Sequence, residues 1–188
     1  MLYSEFKTEV LKEANAVSLY QGSTRAGVLF LQNFNEILPE VPLEDIPGLH
    51  STPVVAIDRT PFTLNSPASF SLATGQNVYR LLRFYENPNS VGDPPLIYEH
   101  KEVSEIENIG SHDAFKVGSG SNMVFWWQIG STINFYPSAL LSGKSAIAEI
   151  IAYLPALADG TELTSIISPR LESKLLKKTV QDLVRELF

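Results

Sequence analysis

Apolar and polar residues follow helical spacing at both ends of the chain and strand-like spacing between them. Over residues 4–19, Phe6, Val10, Leu11, Ala14 and Val17 recur every three or four positions, and Glu5, Lys7, Glu9, Lys12 and Glu13 fill the other side. That pattern predicts an amphipathic helix, with Ser4 placed to cap it and Gly22 placed to end it. Residues 26–38 admit two readings. Val28-Leu29-Phe30-Leu31 suits a buried strand, but Ser23 or Thr24 as a cap and Leu29, Phe30, Phe34, Ile37 and Leu38 as an apolar face favour helix. The far end is the clearest element. Ser168 is a cap, Pro169 sits where a missing N–H costs nothing, and Leu171, Leu175, Leu176, Val180, Leu183, Val184 and Leu187 make one stripe. The helix this predicts is roughly 28 Å long at 1.5 Å per residue.

Between the helical ends the texture changes twice. Pro39, Pro42, Pro47, Pro53, Pro61 and Pro67 punctuate residues 39–67 and leave room only for short strands at 54–57 and 62–64. Leu49, Val54, Val55, Ile57 and Phe62 are too apolar for a free linker, so an ordered arm or loop wrapping the body is expected. From there on strands dominate. Residues 78–85 set Arg80 and Arg83 among large apolar side chains, and 96–98 follows Pro94-Pro95. Residues 123–129 and 132–136 flank Gly130-Ser131 as a tight hairpin. Residues 146–154 place Ile147, Glu149, Ile151 and Tyr153 on one face, with Ala148, Ile150, Ala152 and Leu154 on the other. Ser104-Glu105-Ile106-Glu107, with Gly110 beyond, reads as a capped helix of one or two turns.

Composition narrows the functional classes. The chain has 188 residues, 44% hydrophobic and 19% charged, which suits one globular domain with a real core. Its net charge of −7 argues against a reader that grips nucleic-acid phosphates, though not against a surface that DNA slides past. The charge is unevenly spread: from residue 169 on, five Lys/Arg stand against three Asp/Glu, and the remainder has nine against eighteen. The absence of cysteine removes disulfide scaffolds, thiolate metal sites and cysteine nucleophiles, and fits folding in a reducing compartment. Met1 to Glu5 carries no apolar run of a secretory leader, and no stretch reaches the ~20 apolar residues of a membrane span. A cytoplasmically folded protein with no membrane partner is expected.

Candidate chemistry is sparse. Gly143-Lys144-Ser145 resembles the close of a phosphate loop, but Ser138 stands where that loop needs its first glycine and a strand follows, so a surface turn is the better reading. Val117-Gly118-Ser119-Gly120-Ser121-Asn122 lacks the third glycine of a dinucleotide fingerprint and precedes a strand. No Gly-x-Ser-x-Gly elbow exists. His50, His100 and His112 have no metal-ligand spacing; His100 beside Glu99 and His112 beside Asp113 are the nearest approach to a relay. No catalytic, cofactor or metal residue is therefore assigned. Trp126 and Trp127, adjacent on a strand, must face opposite ways; one in a core and one at a surface or interface is the favoured reading, and both are core if the sheet is covered on each side.

Several segments taken in order resemble one family. Pro95-Leu96 is followed by Glu102-Val103-Ser104-Glu105-Ile106, a loop with Phe115-Lys116-Val117, and Ile133-Asn134-Phe135-Tyr136-Pro137. A strand ending in Tyr153-Leu154, the turn Ala158-Asp159-Gly160 and a last helix complete the series. Over residues 90–188 this resembles the head–tail connector (adaptor or ring) proteins of short-tailed bacteriophages. The proline-punctuated segment 39–67 departs from their pattern. The resemblance implies a non-enzymatic virion protein at the head–tail junction. It would form rings with copies of itself, commonly of twelve, and contact the portal protein and tail or further ring proteins. DNA would pass through the central channel without sequence-specific binding.

The fold class expected is α+β: an N-terminal helix or helices, an antiparallel, sandwich-like β-rich body and a long amphipathic C-terminal helix. The chain is expected to be one domain, 1–188, with a helical N-terminal segment 1–38, the arm or loop 39–67, the β-rich body 68–160 and the C-terminal helix within 161–188. Candidate interface residues are Trp126, Trp127, Leu175, Lys178, Leu183 and Arg185. An alternative function is a carbohydrate- or ligand-binding β-sandwich module of a tail or baseplate, motivated by Trp126, Trp127 and Tyr136. A small enzyme using His100 or His112 is the remaining rival.

Overall fold

The computed structural model describes residues 1–57, 62–64, 77–89, 95–106 and 122–187, with the backbone only for Phe62 and Ile106. They divide into two compact units, Met1–His50 with Pro155–Phe188, and Ser51–Leu154. The helices are α1 (Tyr3–Glu13), α2 (Gly22–Ile37), α3 (Val103–Ile106) and α4 (Pro169–Leu187). The strands are β1 (His50–Ser51), β2 (Val54–Ala56), β3 (Phe62–Thr63), β4 (Val78–Glu86), β5 (Ile97–His100), β6 (Met123–Ile129), β7 (Thr132–Tyr136) and β8 (Ser145–Ala152). The protein is α+β, with helices at both ends of the chain and sheets between them.

The first unit is a bundle of α1, α2 and α4, each packed on the other two. α1 begins before the expected Ser4 cap, at Leu2. Its free N–H groups find other acceptors: Leu2 donates to the Glu5 carboxylate (2.9 Å), and Tyr3 and Ser4 donate to the carbonyls of Thr161 and Asp159 (2.8 and 3.1 Å). It also ends early, at Glu13, because Asn15 takes the left-handed conformation (φ +52°) that asparagine tolerates. Gly22 does not end α1; it opens α2. A Cβ there would lie 2.8 Å from Leu11 Cδ2 and 3.2 Å from Leu19 Cβ, so the glycine lets the start of α2 sit close against the preceding turn.

Residues 26–38 are helical, as the cap-and-face reading favours. Ala26, Leu29, Phe30, Asn33 and Phe34 are the buried face of α2, a 3.6-residue repeat that a strand would have split between two sides. Phe30 meets Phe6 edge-on at 5.0 Å and lies 5.5 Å from Tyr3 and 6.2 Å from Phe34. Burying each such ring contributes about 1.5–3 kcal/mol. α4 starts as expected, the Ser168 Oγ accepting the Leu171 N–H at 3.1 Å while its own hydroxyl donates to Asp45. Its buried side is Leu171, Leu175, Thr179 and Leu183, with Leu176, Val180 and Val184 half-buried. Thr179 is the polar interruption: its Oγ1 accepts from Asn33 Nδ2 of α2 at 3.4 Å, and both side chains are buried.

The proline-punctuated stretch is shared out. Its first half closes the bundle through two short 3-10 turns, Leu38–Glu40 and Leu43–Asp45, and drives Ile46 and Leu49 into the core beside another 3-10 turn at Leu163–Ser165. At Gly48 the two backbones touch, its N–H donating to Ile166 O at 3.1 Å, and a Cβ would lie 2.4 Å from Ser165 O. Its second half supplies β2 and β3; residues 58–61 and 65–67 lie outside the described residues.

The second unit is a sandwich. In one sheet β8 pairs antiparallel with β2 and with β4; the other runs β3-β7-β6-β5. The pairings are antiparallel as expected, except that β5 and β6 run parallel. The intervening residues 101–122 are long enough for the crossover that a parallel pair requires. The β6–β7 hairpin is as read, with Gly130 (φ +59°) in the first central position of its two-residue turn, where a type II′ turn needs glycine. β4 holds a less obvious feature. Register shifts fall between Val78 and Arg80 and again between Leu81 and Arg83, so two bulges convert the period of two into a period of three. Val78, Leu81 and Phe84 face inward in consequence, and Arg80 and Arg83 face out. Inward residues of both sheets make one core, including Phe84, Trp126, Ile133, Phe135, Ala148 and Ile150.

Candidate interaction surface

The candidate interface residues separate into buried and displayed. Trp126 is 3% exposed and stands edge-on to Phe84 at 5.1 Å, inside the sandwich core. Trp127, on the opposite face of β6, is half-buried. Leu175 and Leu183 are buried in the helical bundle, which places the α4 stripe inside its own unit. Lys178 donates to Glu36 at 3.0 Å and lies 3.6 Å from Asp182. The Glu36 hydrogen bond, then the Asp182 charge, raises its pKa above the usual lysine value. The Arg185 side chain is 80% exposed, with Asp182 at 3.6 Å.

The structure also displays a surface that the sequence reading did not single out. Because α1 stops at Glu13, Val17 leaves the expected apolar face and lies 69% exposed on the connector to α2, and Tyr20 is 88% exposed. Asn15 and Gln21, both non-glycine residues at positive φ (+52° and +57°), bracket this connector. Leu19, Tyr20, Val28, Leu183 and Leu187 line a hollow beside it. At its edge Arg25 makes a forked pair with Glu186, whose pKa the Arg25 hydrogen bond lowers. The signal that could have found it is Asn15, a residue suited to ending a helix early. On α4, the side opposite the core carries Arg170, Lys174 and Lys177, all exposed.

The chemical candidates resolve into structure. Gly143 takes φ +68° in a turn and β8 follows at Ser145, as the turn reading expects; Lys144 N–H donates to Leu141 O and Ser145 Oγ accepts from Asn87, so the triplet's groups are engaged. His100 ends β5 with its ring 4.5 Å from that of Trp126 and Nδ1 4.0 Å from Glu102. His112, Asp113 and the 117–121 loop lie outside the described residues. The expected cap at Ser104 is displaced: the Glu105 carboxylate accepts the Glu102 N–H at 2.8 Å, so the capping frame begins two residues earlier. On the outer face of β4 and β8, the buried Glu149 accepts from Arg83 and from the Tyr85 hydroxyl (2.7 Å). Among the described residues no group of three or more His, Cys, Asp and Glu could hold a metal ion, and no helix is long and apolar enough to cross a membrane.

Compared with known proteins, the chain matches no family model, and no curated protein matches its sequence.

Proposed function

We propose that this chain is a non-enzymatic virion structural protein, a ring-forming head–tail connector subunit that sits between portal and tail around the DNA channel. The observation that carries the reading is the surface at the α1–α2 connector. An aromatic side chain displayed at 88% beside an apolar hollow, on a connector bracketed by two left-handed residues, has the composition of a protein-contact site. The ordered resemblance over residues 90–188 supplies the class. The net charge of −7 supports passage of DNA without adhesion. The carbohydrate-binding alternative loses some of its motivation, since Trp126 is core and only Trp127 and Tyr136 remain to meet a sugar.

Size-exclusion chromatography with light scattering, and negative-stain microscopy with and without a portal, test the reading. Closed rings of a defined copy number, alone or on the portal, are the expected result. A chain that stays monomeric at every concentration and never joins a portal would end it. Tyr20→Ala is expected to weaken assembly at least about tenfold without unfolding the chain, the behaviour of an interface anchor.

A further inference from the structure

We infer that neighbouring copies of this chain meet through charge, the acidic outer face of α1 on one copy seating on the basic outer face of α4 on the next. This rests on the ring-subunit reading and names the partner surface within it.

The basic row is Arg170, Lys174 and Lys177, spaced i, i+4 and i+7. With Leu171, Leu175, Thr179 and Leu183 turned into the bundle, 100° per residue puts these three cations on the solvent side of α4. All are exposed, and none of the three makes an ion pair with a described residue. Arg170 and Lys174 also border a small cleft with Glu40 and Asp45; Lys177 does not. The acidic row is Glu5, Glu9 and Glu13 of α1, at i, i+4 and i+8; Glu5 and Glu13 are exposed and Glu9 is half-buried, and the Glu5 carboxylate also accepts the Leu2 N–H. Lys12 lies among them, 3.4 Å from Glu9, and leaves the face net negative. The rows run about 10 and 12 Å along their helices at 1.5 Å per residue, so they match in length as well as in sign.

The occupant is a second copy for two reasons. The rest of the chain is acidic, with nine Lys/Arg against eighteen Asp/Glu before residue 169, so a copy of the chain is itself the complementary partner. A polyanion such as DNA would meet three cations on a molecule that otherwise repels it. Because α1, α2 and α4 each pack on the other two, the outer faces of α1 and α4 point in different directions. A contact joining one to the other uses two separate surfaces of each copy. Where a two-fold axis does not return the contact, it is heterologous and forms a ring if its rotation closes.

The test is assembly of the full chain at about 0.1 M and about 1 M salt, which shortens the screening length from ~10 to ~3 Å. High salt is expected to shift assembly to higher protein concentration. K174E/K177E and E9K/E13K should each raise the half-assembly concentration at least about tenfold, and combining the four should restore it to within about threefold. Circular-dichroism melts matching the parent confirm that the variants are folded. Folded reversal variants that still form rings like the parent would overturn the inference and leave the ring reading standing. A parent chain that forms no rings at all would remove both. Binding of a short DNA duplex that K174E/K177E abolishes, with self-assembly unchanged, would give the row to nucleic acid instead.

Discussion

The Tyr98 hydroxyl is buried without a hydrogen-bond partner among the described residues, and its ring packs beside Phe84 and Phe135 of the sandwich core. Burial, and after it the Glu86 charge, pushes the phenol pKa well above its ordinary value near 10. A buried hydroxyl that bonds nothing costs about 1–3 kcal/mol, so Tyr98→Phe is expected to raise stability by about 1 kcal/mol, read from the urea midpoint at neutral pH. The alkaline limb follows from the sign of the shift. Above pH 10 the unfolded phenol ionises while the folded one keeps its proton, so stability falls as pH rises, and Tyr98→Phe should flatten that fall. Asn33 and Thr179 present the opposite case, a buried polar pair that is satisfied. Thr179→Val alone should cost about 1–3 kcal/mol by stranding the amide, and Asn33→Leu with Thr179→Val should recover most of it, measured as a double-mutant cycle in urea. Neither feature is legible in the chain. Tyr98 reads as an ordinary strand residue until the facing sheet is in place, and Thr179 reads as a gap in a leucine stripe until Asn33 arrives from α2.

Elements are far more legible than their boundaries. α4 and the β6–β7 hairpin stand where the periodicity, Ser168-Pro169 and Gly130-Ser131 put them, because each signal there is local. α1 departs from its pattern at both ends for non-local reasons: backbone carbonyls of residues 159 and 161 take over the N-terminal cap, and Asn15 stops the helix before Gly22. β4 hides its three-residue repeat because bulges follow from pairing with β8 and not from its own sequence. What the α4 stripe does follows from its burial. Leu175 is fully enclosed, so Leu175→Ala should cost about 2–5 kcal/mol. Amide hydrogen exchange should locate that loss in α1, α2 and α4 and leave the β8 amides protected by their own core. The candidate interface then shifts from the leucines of α4 to the residues on its solvent side, a distinction that periodicity cannot make.

At the scale of the molecule, the sequence conveys the α+β class and the order of helices, strands and helix, but not which distant segments share a core. Nothing local in Leu163 or Ile167 announces that both lie buried in the same unit as Ile46 and Leu49. The bundle takes α1 and α2 from before the sandwich and α4 from after it. That interleaving has a consequence in time. A ribosome releases α1 and α2 first, then all of 51–154, and only then α4, so the pair of early helices must wait for the third side of its core while the sandwich completes. The last helix both seals that core and carries the cations of Arg170, Lys174 and Lys177. A nascent chain interrupted before α4 would lack both the seal of the bundle and the cations of its last helix, while residues 51–154 could still complete the sandwich core.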